Sequence, residues 1–225
     1  MSGSILARRI DRDPAIGPRD LDRMVFERGF PITGPGSTTF AYRGDVDAVH
    51  LVHYGIGLDE DLSFERLPDS NWWVLNLALP EATRLEYRLQ ITEGDHRYDT
   101  EDPLNPFEAR NPFGHNSVCR SNGYAVPPWA QRDPEASEGL QRSLTIPSAQ
   151  LGRPIPVTLY LPADFSMERE RRYPLVVLHD GLDYLHYAEA ATVLDNLVHR
   201  GLTPRIVVAF CQPGDRLKEY ANDEA

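Results

Sequence analysis

The stretch Arg172-Tyr-Pro-Leu-Val-Val-Leu-His-Asp-Gly-Leu-Asp-Tyr184 constrains the fold of this chain more than any other. Pro174 to Leu178 is an unbroken apolar run, the pattern of a strand buried on both faces in a parallel sheet. It enters His179-Asp-Gly-Leu182, then a segment with helical spacing, then a second apolar run from Arg205 to Cys211. That order predicts strand, tight loop, crossover helix and neighbouring parallel strand. The helix is expected over 187–200, where Ala190, Ala191, Leu194, Leu197 and Val198 share one face. Gly201 stands where its C-cap belongs, and His199 suits the negative end of the helix dipole. The Arg205–Cys211 strand is expected to form the open edge of the sheet.

Upstream the pattern differs. Thr38–Arg43, Ala48–His53, Trp72–Leu79 and Leu85–Ile91 are short β-like runs separated by Gly, Pro, Asp and Asn, which predicts a β-sandwich. In the last of these, Leu85, Tyr87, Leu89 and Ile91 alternate with Glu86, Arg88 and Gln90, so one face is apolar. Trp72 and Trp73 are adjacent in a strand and point to opposite faces. One is expected in the core and the other exposed, packing or shaping a site mouth rather than binding sugar. Four segments follow: a polar leader and one helix, from Gly17 or Pro18 to about Arg28, over 1–36; the sandwich over 37–123; a Pro- and acid-rich linker over 124–140; and a second domain over 141–225. That domain opens with strands at Gln141–Ile146 and Ile155–Leu161, around a turn at Leu151–Pro154.

The net charge of −11 argues against nucleic acid as a partner, because that binding is dominated by phosphate neutralisation. No apolar run is long enough to span a bilayer, and the early charges of Met1–Pro14 deny it a secretory core, so a cytoplasmic location without a membrane partner is expected. Cys119 and Cys211 fall in different predicted domains and are expected to be separate thiols, in keeping with a reducing compartment. No spacing of His, Cys or acids reads as a metal site. His50 and His53 sit at odd spacing in a strand, and Asp99 and Asp102 are expected to be turn residues bonding their own backbone.

The loop His179-Asp180-Gly181-Leu182 leaves the end of a predicted parallel strand, where such sheets place ligand crevices. Gly181 would permit a sharp backbone turn, and a turn of this kind can aim an N–H at a developing oxyanion. The alternative is a strand-to-helix turn without a chemical role. Arg216, after the last strand, is either a cation that meets an anionic or catecholate substrate or simply a helix start. No Gly-x-Ser-x-Gly occurs anywhere in the 225 residues.

Three features together resemble the enterochelin-esterase-like and esterase-D-like hydrolases: the Trp72-Trp73 strand followed by Tyr87-x-Leu89 and Asp102-Pro-x-Asn-Pro106; Pro127-Pro-Trp129 leading into the linker; and Tyr173-Pro-Leu-Val-Val-Leu-His-Asp-Gly181 with Val207-Val-Ala-Phe210 and Arg216-x-x-Glu219-Tyr220. The resemblance implies an immunoglobulin-like (early-set) sandwich followed by the start of an α/β-hydrolase fold. It implies a carboxylic-ester hydrolase using a Ser-His-Asp triad through an acyl-enzyme, with neither metal nor organic cofactor, acting on a small ester such as a ferric catecholate siderophore. Gly181 and Leu182 match the family's oxyanion loop, with the Leu182 N–H as donor. The nucleophile, acid and histidine have no counterparts here and are expected beyond Ala225, so the chain alone is expected to be inactive. Two alternatives stay open: a carbohydrate-associated feruloyl or acetyl esterase, and a non-catalytic binding module or pseudoenzyme.

Overall fold

The structure is a computed structural model that describes residues 8–11, 16–53, 62–167 and 172–220. The chain divides into two compact units, Met1–Ala125 and Val126–Ala225. Parts of the expected leader, and the C-terminal point beyond which the catalytic residues were expected, lie outside the described residues.

The first unit begins with helix α1 (Pro18–Glu27), close to its expected span, with proline in the first turn. The Asp20 carboxylate accepts the Gly17 N–H at 3.1 Å and closes the N-terminus. One five-stranded sheet holds β1 (Arg8–Arg9), β2 (Ile32–Gly34), β3 (Ser37–Arg43), β5 (Glu65–Arg66) and β6 (Trp72–Ala78), in the order β1-β6-β3-β2 with β5 against β6. The other holds β4 (Ala48–His53), β7 (Arg84–Glu93), β8 (His96–Thr100), β9 (Glu108–Asn111) and β10 (Gly114–Arg120), in the order β4-β7-β10-β9 with β8 against β7. Phe40, Leu75 and Leu77 from the first sheet meet Val49, Tyr87, Leu89 and Ile91 from the second in one core.

The opposite face of the first sheet is covered as well. Leu21 of α1 packs with Phe30, Ala41, Trp72 and Val74, so β6 is buried on both sides. This corrects the expectation of one exposed tryptophan: Trp72 and Trp73 do face opposite ways, but they are only 2% and 7% exposed. Asp102 also does more than close a turn. Its Oδ1 accepts the Leu104 N–H at 2.9 Å, as expected, while Oδ2 accepts the Tyr87 hydroxyl at 2.5 Å in the interior. Burial pushes this carboxyl up to about 6, against the downward pull of those two donors. Asp99 is not a turn residue; it lies in β8 and accepts the Gln90 amide at 3.0 Å.

The second unit contains a four-stranded sheet of β11 (Leu140–Ser148), β12 (Arg153–Leu161), β13 (Leu175–Leu178) and β14 (Val207–Cys211), in the order β11-β12-β14-β13. β13 and β14 are parallel, as expected, but β11–β12 and β12–β14 pair antiparallel. The helix expected over 187–200 is α3 (Ala190–His199), whose N-cap Glu189 is left-handed at φ 49°; a second helix, α2 (Gly181–Tyr187), occupies the segment before it, where no helix was expected. Gly201 is left-handed at φ 66°, as a C-cap glycine should be. Leu178, Leu185, Ala190, Ala191 and Leu194 pack with Tyr160, Val208 and Phe210 on one face of the sheet. Leu175 and Val177 alternate to the other face and are 62% and 50% exposed, so the run read as doubly buried is covered on one side only. β14 is interior, and the edges of this sheet are β13 and β11.

These findings overturn the expected fold class of an immunoglobulin-like sandwich followed by the start of an α/β-hydrolase. The described chain is mostly β, in three sheets, with short helices; its third sheet is mixed, mainly antiparallel, and has helices on one face. Run length and apolarity reported where strands lie, but not with which partners or in which direction they pair.

Residues 128–139 are held down on α3. Asn196, 1% exposed, donates its amide to the carbonyls of Trp129 (2.8 Å) and Gln131 (2.7 Å) and accepts the Asp133 N–H (3.2 Å). Asp195 accepts the Gly139 N–H at 2.8 Å and the Tyr160 hydroxyl at 2.7 Å, and Arg200 pairs with Asp133.

Candidate functional site

Parallel pairing brings the C-terminal ends of β13 and β14 to the same edge of the sheet, with His179–Leu182 leaving one strand and Gln212–Asp215 the other. The reversal after β13 is made by Asp180, which is left-handed at φ 54° and ψ 40°. Gly181 serves another purpose than the turn expected of it. A Cβ there would lie 2.4 Å from the Phe210 carbonyl carbon, so only glycine lets the loop approach β14 this closely.

The Leu182 N–H, an orphan donor in the first turn of α2, is directed at β14 and donates to the Gln212 carboxamide oxygen at 3.2 Å. Gln212 is itself fixed by its backbone N–H, which donates to Pro156 of β12 at 3.1 Å. The Asp180 N–H donates to the Tyr220 hydroxyl at 3.2 Å. Arg216, at the start of helix α4 (Arg216–Tyr220), places Nε 3.0 and 3.1 Å from the two Asp180 carboxylate oxygens. It is therefore both the helix start and a loop clamp, and its charge is already met within the loop. Glu219 Oε1 accepts the Arg153 guanidinium together with the Gly214 N–H at 3.0 Å, which ties the segment after β14 to β12. The Arg153 hydrogen bond holds the Glu219 carboxyl below its ordinary range.

Two clefts flank Gln212. One, about 430 Å³, is lined by Leu144, Val157, Thr158, Leu182 and Phe210. The other, about 300 Å³, is lined by Leu151, Ile155, His179, Cys211 and Tyr220. Of the residues singled out in the sequence, Gly181, Leu182 and Arg216 meet here, and His179 stands edge-on to Tyr220 at 5.2 Å. His186 packs near Tyr187 on α2, and His199 lines a separate polar cleft with Tyr160, Asp195 and Arg205. His50 Nδ1 lies 3.4 Å from Ser63 Oγ. Among the described residues no group of His, Cys, Asp and Glu is arranged to hold a metal, no helix is long and apolar enough to cross a membrane, and both cysteines are free thiols. Gln212 and Arg153 went unnoticed in the sequence; a polar residue directly after an apolar strand was the one signal available.

Residues 148–225 match a family model described as putative esterase. No curated protein matches the chain. Among solved structures, the ferric enterobactin esterase of Salmonella typhimurium is 19% identical with a TM-score of 0.64, over 82% of this chain and 55% of that one. The enterobactin esterase of Shigella flexneri, solved in the presence of enterobactin, is 20% identical with a TM-score of 0.57, over 80% of this chain and 53% of that one. In the presence of 2,3-dihydroxy-N-benzoyl-serine the same enzyme gives 19% identity and a TM-score of 0.56, over 80% and 52%. The likeness to these structures is one of fold, and the chain spans about half their length. Together with the family match, it supports the resemblance to an esterase-like family.

Proposed function

We propose that the second unit supplies the oxyanion-donor part of a carboxylic-ester hydrolase of the enterobactin-esterase type. The observation that carries this is the Leu182 N–H. It leaves the C-terminal end of a parallel strand, is held in place by the close approach at Gly181, and already donates to a neutral carbonyl-type oxygen from Gln212. An ester carbonyl would take the place of that carboxamide, and the donor would stabilise the negative oxygen of the tetrahedral intermediate. Asp180, clamped by Arg216 and Tyr220, holds the loop in register, so Arg216 acts on the loop rather than on a substrate.

The reaction is acyl transfer through a serine nucleophile. Residues 1–225 contain no Gly-x-Ser-x-Gly, so the nucleophile lies outside them and the chain by itself does not turn over. The substrate class is a small ester, with catecholate–serine esters as the leading members by likeness to the solved relatives, acted on in the cytoplasm. p-Nitrophenyl butyrate hydrolysis tests the reading, measured on the 225-residue chain and on the product of its whole reading frame. The expectation is no turnover from the first, and turnover blocked by a serine-directed phosphonate from the second. Phosphonate-sensitive turnover by residues 1–225 would refute the placement of the nucleophile; none from either protein would refute the esterase.

A further inference from the structure

An asparagine side chain can be attacked by the amide nitrogen of the residue after it, provided that nitrogen is free and no side chain screens it. Of the asparagines among the described residues, Asn122 alone meets both conditions. Asn105 and Asn111 precede prolines, which carry no N–H. Asn76, Asn116 and Asn196 are buried in β6, β10 and α3. Asn71 precedes Trp72, whose N–H already donates to Ser70 Oγ at 3.2 Å. Asn122 is half-buried and precedes the exposed Gly123. The Tyr124 N–H closes this turn on the Ser121 carbonyl at 3.0 Å, with Gly123 left-handed at φ 75°. Among the described residues the Gly123 N–H has no hydrogen-bond partner, and nothing lies within 4 Å of where a Cβ on Gly123 would stand.

The turn also fastens another one. The Ser121 N–H donates to the Thr83 carbonyl at 2.9 Å, while Ser121 Oγ accepts the Thr83 N–H at 2.8 Å and donates to the Pro80 carbonyl at 2.7 Å. Asn122 adds two bonds: its main-chain oxygen accepts the Ala82 N–H at 2.8 Å, and its Nδ2 donates to Glu81 Oε1 at 3.1 Å. Ala82 is left-handed at φ 58°, a conformation that a residue with a Cβ keeps only where its surroundings hold it. All of this stands just ahead of Ala125, the last residue of the first unit.

We propose that Asn122-Gly123 is a self-modification site whose conversion unfastens the 80–83 turn from the end of the sandwich. The Gly123 nitrogen attacks Asn122 Cγ; the new C–N bond closes a succinimide, the Cγ–Nδ2 bond breaks, and the proton of the attacking nitrogen leaves with the departing group as ammonia. Water then opens the ring at one of its two carbonyl carbons. Opening at Cγ leaves aspartate, whose carboxylate cannot donate to Glu81 and is repelled by it. Opening at the main-chain carbon leaves isoaspartate. The chain then runs through Cβ and Cγ, one carbon longer, and the oxygen that accepted the Ala82 N–H becomes part of a pendant carboxylate.

The test is incubation of the 225-residue chain in mildly alkaline buffer beside a capped Ser-Asn-Gly-Tyr peptide, followed by peptide mass spectrometry with chromatographic separation of aspartate from isoaspartate. Asn122 should convert to both products, and Asn71 about tenfold or more slowly, because the next nitrogen there is screened by a side chain and hydrogen-bonded. Gly123→Ala should slow the conversion, since its Cβ would stand beside the attacking nitrogen; the comparison with Asn71 and with the peptide needs no variant. The modified chain, separated from the unmodified one by its extra negative charge, should exchange the Ala82 amide about three- to tenfold faster, as the loss of one such bond allows, with Leu89 unchanged. An Asn122 still intact when the peptide is exhausted would overturn the site, and equal Ala82 exchange in the two forms would overturn the unfastening.

Discussion

Replacing Asn196 by alanine should release the 128–139 segment from α3. The side chain is 1% exposed and fully used, with both amide protons donated to carbonyls and its oxygen accepting an N–H. Each such bond is worth about 0.5–1.5 kcal/mol net, and the partners, Trp129, Gln131 and Asp133, lie in a segment that water can partly reach, which favours about 0.7–1 kcal/mol apiece. Three bonds give roughly 2–3 kcal/mol, offset by about 0.5 kcal/mol from the better helix propensity of alanine. The net loss of about 2 kcal/mol would lower the melting temperature of a unit this size by about 8–16 °C. Asn196→Asp should be worse than alanine, because it keeps the acceptor but turns a carboxylate oxygen toward two carbonyls. Because the chain comprises two units, amide exchange is the sharper assay. Exchange at Asp133 and Gly139 should accelerate in Asn196→Ala while that of Leu89 and Ile91 stays at the wild-type rate. An alanine variant within about 0.5 kcal/mol of wild type, with Asp133 still protected, would refute the reasoning.

Three further outcomes are expected. The folded Asp102 value of about 6 lies above its ordinary 3.8, so its contribution to stability is fully present below about pH 3.8 and is lost as pH rises through 6; the shift corresponds to about 3 kcal/mol. Tyr87→Phe removes a donor to the ionised form, so urea melts should show a larger loss at pH 7.5 than at pH 4.5, and equal losses would contradict the account. Gly181→Ala must push β14 or the loop aside, and should destabilise the second unit by about 2–4 kcal/mol; wild-type melting would rule out the close approach. Gln212→Ala should leave the fold intact and speed exchange of the Leu182 amide about three- to tenfold, whereas unchanged exchange would mean that the carboxamide does not hold it.

Elements were legible where one face decides. The α1 helix, the alternation of β7 and the apolar β14 announce themselves because side-chain periodicity maps directly onto burial. β8 and β9 did not, since His96–Thr100 and Glu108–Asn111 are polar on both sides and owe their pairing to neighbours. One of the pair Trp72-Trp73 was expected to be exposed, and neither is, because the burial of Trp72 depends on α1, some fifty residues earlier in the chain. α2 was missed because Gly181–Tyr187 opens with the glycine of the expected loop and carries no long apolar stripe. At the site, Gly181 and Leu182 could be named because they lie in the loop that follows one apolar strand, and Arg216 because it lies just beyond the other. Gln212 and Asn196 could not, because each acts on backbone groups far along the chain, and a single polar residue carries no periodic signal.

The central claim, that the Leu182 N–H receives the ester's developing oxyanion, is tested most directly by titrating the ¹⁵N-labelled chain with butylphosphonate, a tetrahedral anion. The account predicts a saturable downfield shift of the Leu182 amide, larger than that of Asp183 or Tyr184, with the Gln212 side-chain amide moving in step as it is displaced. A Leu182 amide that keeps its position at saturating phosphonate, in the wild type and in Gln212→Ala alike, would contradict it.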